Sequence, residues 1–502
     1  MDFLANLELG FSVAFAGQNI FYGFLGVLLG TIIGVLPGLG PVATISILLP
    51  ITFSLEPQTA VIMLAGIYYG AQYGGSTTAI LVNLPGESSA VVTAIDGYQM
   101  ARQGRAGLAL ATAALASFLA GTLATVLIAV LAPALAEVAL SFGPADYFSL
   151  MMFGLVAAVI LASGSVVKAL GMLALGFLLG SIGTDVNTGF ERFTFGIPQF
   201  GDGIDFAVVA MGIFGIGETI ANLERREETR RFLSEIHGLM PTWTDIRAML
   251  PPALRGTALG AGLGLLPGGG PVLASFSTYS LEKKLSKHPE EFGKGALAGV
   301  AGPEAANNAA AQASFIPMLT LGLPSNAVMA LMIGALMMQG LSPGPQLMTQ
   351  KPELFWGLVA SMWTGNLMLV VLNLPLVGIW VRLLSAPYRL LYPAILMFCC
   401  IGVYSINTSW VDVMLAGAFG VLGYILYKLR CEPAPLLLGF ILGPMVEENL
   451  RRALLISRGD PSVFVERPIS LTFLVLTVLL ILLLVAPSLR GLRTRAFDEP
   501  AA

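Results

Sequence analysis

Two stretches place hydroxyls, amides and carboxylates in otherwise apolar surroundings. The first, "YYGAQYGGSTTAILVNLPGESSAVV", holds Ser76, Thr77, Thr78, Asn83, Glu87, Ser88 and Ser89. The second, "AGPEAANNAAAQASFIPMLTLGLPSNAV", holds Glu304, Asn307, Asn308, Gln312, Ser314, Ser325 and Asn326. Hydroxyls and amides suit the oxygens of a carboxylate ligand. Carbonyls freed beside Pro-Gly breaks suit a dehydrated Na+, a hard ion that takes oxygen ligands. Pro85-Gly86 and Pro324-Ser325 each read as a helix start, whose free N–H groups can bind an anion. Plainer roles compete. A lone Ser76 or Thr77 in a membrane helix bonds its own i−4 carbonyl more often than a ligand. Asn307 and Asn308 suit hydrogen bonding between helices. Glu304 is more telling, because a carboxylate at mid-helix costs about 2.5–3.5 kcal/mol on insertion scales. It must be protonated, paired or functional, unless its span is shorter than drawn, and Glu87 poses the same question.

The elements that carry these groups must be membrane helices. The 502 residues are 56% hydrophobic and 11% charged, with a mean hydropathy of +0.82. A soluble domain carries about 25% charged residues, so no wettable surface can be built around a core. Apolar windows of about 20 residues recur, whereas a membrane barrel would show alternating segments of about ten. Candidate spans are 18–36, 59–82, 108–131, 146–162, 166–182, 205–221, 253–266, 295–318, 325–340, 354–380, 388–407, 411–428, 433–446 and 469–487. Cys399, Cys400 and Cys431 are too few and too badly placed for a disulfide framework. The acidic start "MDFLANLELG" lacks a basic region, so no cleavable leader is expected. The net charge of −4 decides little, because charges cluster in a few loops. The polar connection 222–256, with Arg225, Arg226, Arg230 and Arg231, and the basic tail are expected on the cytoplasmic side. No Lys or Arg precedes Arg102, which leaves the N-terminus free to lie outside.

A repeat organises the chain. Sliding it by 230 residues matches ten of the seventeen positions in 26–42 with 256–272, among them Gly26/Gly256, Gly30/Gly260, Gly34/Gly264, Gly38/Gly268, Gly40/Gly270 and Pro41/Pro271. After a nine-residue insertion, Leu84-Pro85 corresponds to Leu323-Pro324. Glycines every fourth residue are read as close-packing positions, and the "LPGxGPV" corner after them as a break. Residues 41–54 reach about 21 Å as a helix, too short to cross and shortened further by Pro50, so they are expected to enter and return. Such backbone is tolerated only where buried in protein or lining a wet cavity. Charge places the helices leading into the two corners in opposite directions, an inverted-topology repeat. Lys283, Lys284 and Lys287 leave the side of the 281–295 loop open.

The fold expected is therefore an all-α integral membrane protein, a polytopic bundle with two inverted repeats and re-entrant, Pro/Gly-broken helices. Its parts are a first half (1–221), the polar loop (222–256), a second half (257–430) and C-terminal spans with a basic tail (431–502). Substrate is expected at Gly38, Gly40, Pro41, Ser76, Thr77, Thr78, Asn83, Gly86, Ser88, Gly268, Gly270, Pro271, Ser325 and Asn326. Asn307, Asn308, Glu304 and Glu87 would give ion or polar support. Signatures of hydrolases, Walker nucleotide sites and Cys/His metal spacing are missing. His237 and His288 lie in charged loops, and "QFGDGID" has the wrong order for an intramembrane aspartyl site. With no ATP site, transport would be driven by an ion gradient, and an intramembrane enzyme working through Glu304 or Asp202 is the remote alternative.

The run "GVLPGLGP", "YYGAQYGGSTTAILVNLPGE", "DGYQMARQGRAG", "GLLPGGGPVLASF" and "GVAGPEAANNAA…FIPMLTLGLPSNAVMALMIGAL" resembles the large membrane subunit of tripartite tricarboxylate transporters, the TctA family. The likeness covers about residues 15 to 430. It implies a multi-pass permease of the bacterial inner membrane working with a small four-span membrane subunit and a periplasmic solute-binding protein. It further implies Na+ as coupling ion, an organic-acid substrate of the di- or tricarboxylate kind, an elevator-type fold, no cofactor and no nucleic acid. A stand-alone carboxylate carrier or antiporter is the alternative.

Overall fold

The computed structural model describes residues 3–36, 39–84, 86–161, 165–185, 188–224, 238–266, 270–384 and 388–485, and helices make up most of them. The first half runs α1 (Phe3–Ala14), α2 (Gly17–Gly34), α3 (Pro41–Phe53), α4 (Pro57–Val82), α5 (Val91–Met100) and α6 (Ala106–Leu140). Next come α7 (Pro144–Leu161) and α8 (Val166–Gly180), then a small antiparallel pair, β1 (Gly183–Thr184) and β2 (Glu191–Arg192). After it, α9 (Phe206–Ala210) passes through a π-helical stretch into α10 (Glu218–Glu224). The second half holds α11 (Trp243–Gly264), α12 (Gly270–Leu285), α13 (Ala298–Ala313), α14 (Phe315–Leu321) and α15 (Ala327–Met338). It continues with α16 (Pro345–Gln350), α17 (Pro352–Asn373) and α18 (Val377–Leu384). Finally come α19 (Tyr388–Asn407), α20 (Trp410–Lys428), α21 (Ala434–Ile456), α22 (Val463–Glu466) and α23 (Pro468–Val485). Among the described residues five helical stretches are long and apolar enough to cross a membrane: Gly17–Gly34, Ser88–Leu140, Phe206–Glu224, Pro352–Asn373 and Trp410–Lys428. This is an all-α membrane protein.

The glycine ladder shows how the core is built. A Cβ on Gly26 or Gly30 would overlap the carbonyl oxygens of Met63 and Ile67 on α4, and one on Gly34 would come 2.5 Å from that of Ala71. Gly256, Gly260 and Gly264 meet Gly302, Ala306 and Ala310 on α13 in the same way, the last again at 2.5 Å. Partners rise together along both helices, so α2 lies parallel to α4 and α11 parallel to α13. Allowing for the nine-residue insertion, the partner positions also correspond. By contrast, α12 runs back along α11, because Arg255 grips Glu282 through two nitrogens at 2.6 and 2.7 Å. The halves also pack on each other reciprocally: α3 lies on α15, and α12 lies on the Ser88–Ala90 turn and α5.

Ion pairs and polar contacts collect at the two ends of the bundle. At one end Lys428 pairs with Glu224 and Lys168 donates to the Leu429 carbonyl at 2.5 Å. There too Arg105 and Gln103 hold the carbonyls of Gly295 and Lys294. At the other, Arg192 and Arg451 pair with Asp185 and Glu447, and Arg467 pairs with Asp146. The loop after α12 thus sits at the end of Arg105. Several boundaries differ from the sequence reading, among them the ends of α6, at Leu140 rather than 131, and of α17, at Asn373 rather than 380. Helix α11 begins at Trp243, ten residues before the expected span, because Thr242 and Asp245 form a capping box. Helix α21 runs on to Ile456 rather than 446, with Glu447–Arg451 and Glu448–Arg452 pairs spaced i,i+4 along it. The polar connection shrinks accordingly, and its 225–237 portion, with all four arginines, lies outside the described residues.

Candidate functional site

In each half the two breaks meet. Gly40 is extended (φ −76°, ψ 175°) and Pro41 opens α3; the corresponding Gly270 has a positive φ of 36° and Pro271 stands in the first turn of α12. A Cβ on Gly40 would stand 3.9 Å from the Gly86 carbonyl oxygen, and one on Gly270 would stand 3.8 Å from Asn326 Cβ. Gly38 and Gly268 fall outside the described residues, as do Pro37, Pro85, Pro267 and Gly269. The second break is also built alike twice. Helix α4 ends on Asn83 with a left-handed φ of 57°, and α14 ends on Gly322 with φ 69°. Only glycine fits at 86: a Cβ there would overlap the Gly34 carbonyl oxygen and lie 2.7 Å from Gly75 Cα.

Glu87 and Asn326 occupy equivalent positions after these breaks, both extended and both heading the next helical stretch. Helical structure therefore resumes at Ser88 and Ala327, not at Pro85 and Pro324 as the sequence reading has it. Asn326 explains the second start. Its Oδ1 accepts from the Met329 N–H at 3.0 Å and its Nδ2 donates to Ser314 Oγ at 3.0 Å, a side-chain cap for α15. Ser325 is buried with an unpartnered hydroxyl. Asn83 and Ser88 are exposed and stand apart from the buried polar cluster.

That cluster joins the halves. Glu87 Oε1 accepts from Ser89 Oγ at 2.5 Å and from Asn307 Nδ2 at 3.1 Å. Glu304 Oε1 accepts from Ser76 Oγ at 2.8 Å and from the Thr93 hydroxyl, and Oε2 from Ser117 Oγ at 3.3 Å. Asn308 Nδ2 donates to Ser117 at 2.7 Å and to the Glu304 carbonyl at 3.1 Å. Among the described residues neither carboxylate forms an ion pair with Lys, Arg or His. Among the described residues Thr77 bonds only its own turn, to Tyr73 O at 3.2 Å. Thr78 reaches Val35 O at 2.7 Å and so satisfies a carbonyl freed where α2 breaks. The contacts obey the repeat: Asn307 of the second half touches Glu87 of the first, while its counterpart Tyr68 lies against Asn326. Among the described residues no group of three or more His, Cys, Asp or Glu is placed to hold a metal ion.

Sequence reading did not single out Thr93, Ser117 or Asp96. The Asp96 carboxylate is fully buried and accepts the N–H groups of Gly293, Gly295 and Ala296 at 2.7–2.9 Å, plus the Tyr279 hydroxyl at 2.9 Å. It ties the end of α5 to the loop entering α13. Its sequence signals are a lone acid in an apolar run, "AVVTAIDGYQM", and its place at the head of "DGYQMARQGRAG".

Residues 20–438 match the model of the Tripartite tricarboxylate transporter TctA family. Two Agrobacterium vitis proteins are similar to the chain. One, described as an uncharacterized 52.8 kDa protein in the TAR-I ttuC' 3' region, is 58% identical over 499 residues, 99% of each chain. The other, an uncharacterized protein in the TAR-II ttuC' 3' region, is 59% identical over 240 residues, 48% of this chain and 99% of its own. No solved structure matches. Several apolar helices, a family match over most of the length and a relative alike from end to end agree: the chain belongs to the TctA family, the membrane component of tripartite tricarboxylate transporters.

Proposed function

We propose that the chain is the permease of a binding-protein-dependent tripartite system that imports di- or tricarboxylates, or related organic acids, on an ion gradient, with Na+ as coupling ion. The observation carrying this reading is the meeting of two breaks in each half. At Gly40–Gly86 the start of α3 faces the Ser88 turn, and at Gly270–Asn326 the start of α12 faces α15. Helix N-termini carry about half a positive charge and free N–H groups, which suit carboxylate oxygens where water is excluded. Four such starts, two in each half, supply anion donors without a fixed cation that would hold the acid too tightly to release.

The two halves are proposed to be an inverted repeat. Reciprocal packing of α3 on α15 and α12 on α5 is what a two-fold relation between halves produces. The end gathering Arg105, Lys168, Lys294 and Lys428 is taken as cytoplasmic by the excess of positive charge. Under that assignment α11 and α12 enter from and return to the cytoplasm, and α2 and α3 do so from outside. Small-residue packing within each half gives rigid units that could move as bodies, as an elevator needs. The proposed setting is the bacterial inner membrane, with a small four-span subunit and a periplasmic solute-binding protein as partners. Reconstitution with and without candidate partners tests it: accumulation of a carboxylate only when all three are present supports the tripartite permease. Equal accumulation by this chain alone refutes the partner requirement and favours a stand-alone carrier.

A further inference from the structure

Tyr73, Ser76 and Thr77 on α4, Ser117 on α6, Glu304 on α13 and Asn373 on α17 line one small cavity, of about 10 Å³. That is room for about one water-sized particle, and too little for an organic acid. Its polar lining is unusual in kind. Glu304 brings one carboxylate with no ion-pair partner among the described residues, held by the hydroxyls of Ser76, Thr93 and Ser117; Ser117 accepts from Asn308, whereas no described group donates to Ser76. Two further oxygens have no hydrogen-bond partner among the described residues, Tyr73 Oη and Asn373 Oδ1, although both residues are only 4% exposed. The Asn373 amide nitrogen is tied to Leu369 O at 2.9 Å, which leaves its oxygen as the free end. Buried polar atoms are ordinarily paired, so unpaired oxygens beside an unpaired carboxylate point to a missing positive ligand.

We propose that this cavity binds one dehydrated monovalent cation, held by the Glu304 carboxylate and the oxygens of Tyr73, Asn373 and Ser76. One carboxylate balances one charge, whereas Ca2+ takes about six to eight oxygen ligands and Mg2+ keeps several waters, for which this cavity has no room. The site is separate from the breaks but linked to them. Asn307, three residues beyond Glu304 on α13, bonds Glu87 beside Gly86. Occupancy at Glu304 can therefore be felt at the first-half corner through α13. The site rests on geometry alone; its part in coupling rests on the transport reading above.

Equilibrium binding of ²²Na+ to the detergent-purified full chain tests the site without any transport. Wild type is expected to bind Na+ saturably, with protection against thermal unfolding that rises with Na+ concentration. Glu304→Gln should abolish binding. Tyr73→Phe and Asn373→Leu, which remove one oxygen each, should weaken it about tenfold or more, while Gly262→Ala leaves it unchanged. If Glu304→Gln fails to fold, the other two variants carry the test. Absence of saturable binding in wild type, or wild-type affinity in both Tyr73→Phe and Asn373→Leu, overturns the proposal. Binding lost in the variants while acid uptake ignores the Na+ gradient would uphold the site and refute Na+ coupling.

Discussion

Replacing Gly264 by alanine asks the most of the repeated helix pair. The new Cβ would lie 2.5 Å from the Ala310 carbonyl oxygen, 2.7 Å from its Cα and 3.0 Å from its carbonyl carbon. Cβ atoms essentially never come within 3.0 Å of another atom, so α11 and α13 must part by about 0.5 Å (3.0 less 2.5). The obstacle is backbone, which has no rotamer to turn, so the cost falls near the upper end of the overpacking range, about 3 kcal/mol. Alanine's better helix propensity returns about 1 kcal/mol, for a net loss of about 2 kcal/mol. Gly34→Ala should behave alike, since it meets Ala71 oxygen and Cα at 2.5 and 2.6 Å. Gly262 lies on the same helix with nothing within 4 Å, so Gly262→Ala should be neutral or about 1 kcal/mol more stable. Thermal unfolding of the purified variants, with reversibility checked, reads the contrast: Gly264→Ala should melt several degrees below Gly262→Ala. Equal melting of the two would refute the backbone contact on which the repeat's geometry rests.

Gly86→Ala should abolish carboxylate uptake while the protein still reaches the membrane, because its Cβ runs into Gly34 and Gly75; membrane blots beside uptake assays decide it. Asp96→Asn removes the charge from four hydrogen bonds and should lower stability by about 2 kcal/mol, with faster proteolysis in the 288–297 loop; unchanged cleavage would contradict the tie. Arg255→Ala leaves Glu282, 2% exposed, without its partner. It should cost about 1–3 kcal/mol, less than a fully buried pair because Arg255 is partly exposed, and Glu282→Gln in the same chain should recover most of it. Asn307→Asp should weaken uptake more than Asn307→Ala, since it sets a second carboxylate beside Glu87; equal effects would remove Glu87 from the argument.

The glycine ladder and the corners were legible because they are local: a spacing of four and a Pro-Gly break are written in consecutive residues. What joins them was not. Ser76 and Glu304 are 228 residues apart, and Thr93 and Glu304 are 211 apart. A sequence carries no direct mark of which serine in one helix faces which acid in another. Asn326 illustrates a second limit. Beside the substrate contact expected of it, its side chain caps α15 and holds Ser314, a role that the order Pro-Ser-Asn before an apolar run also signals. Thr242 and Asp245 announced the start of α11 at the right spacing for a capping box, but the polar composition around them read as loop. Asp96 heads the motif "DGYQMARQGRAG", but nothing local names its partners, which include backbone N–H groups in a distant loop.

The central claim is that the joined breaks hold the acid and an ion gradient drives it. The most direct test is uptake of radiolabelled di- and tricarboxylates into proteoliposomes containing the whole system, with an inward Na+ gradient imposed or collapsed. It would be run on wild type, Gly40→Val and Gly86→Ala. The account predicts gradient-dependent accumulation of at least one acid by wild type and none by either variant, with all three proteins equally incorporated. Accumulation by Gly40→Val and Gly86→Ala at the wild-type rate would contradict it.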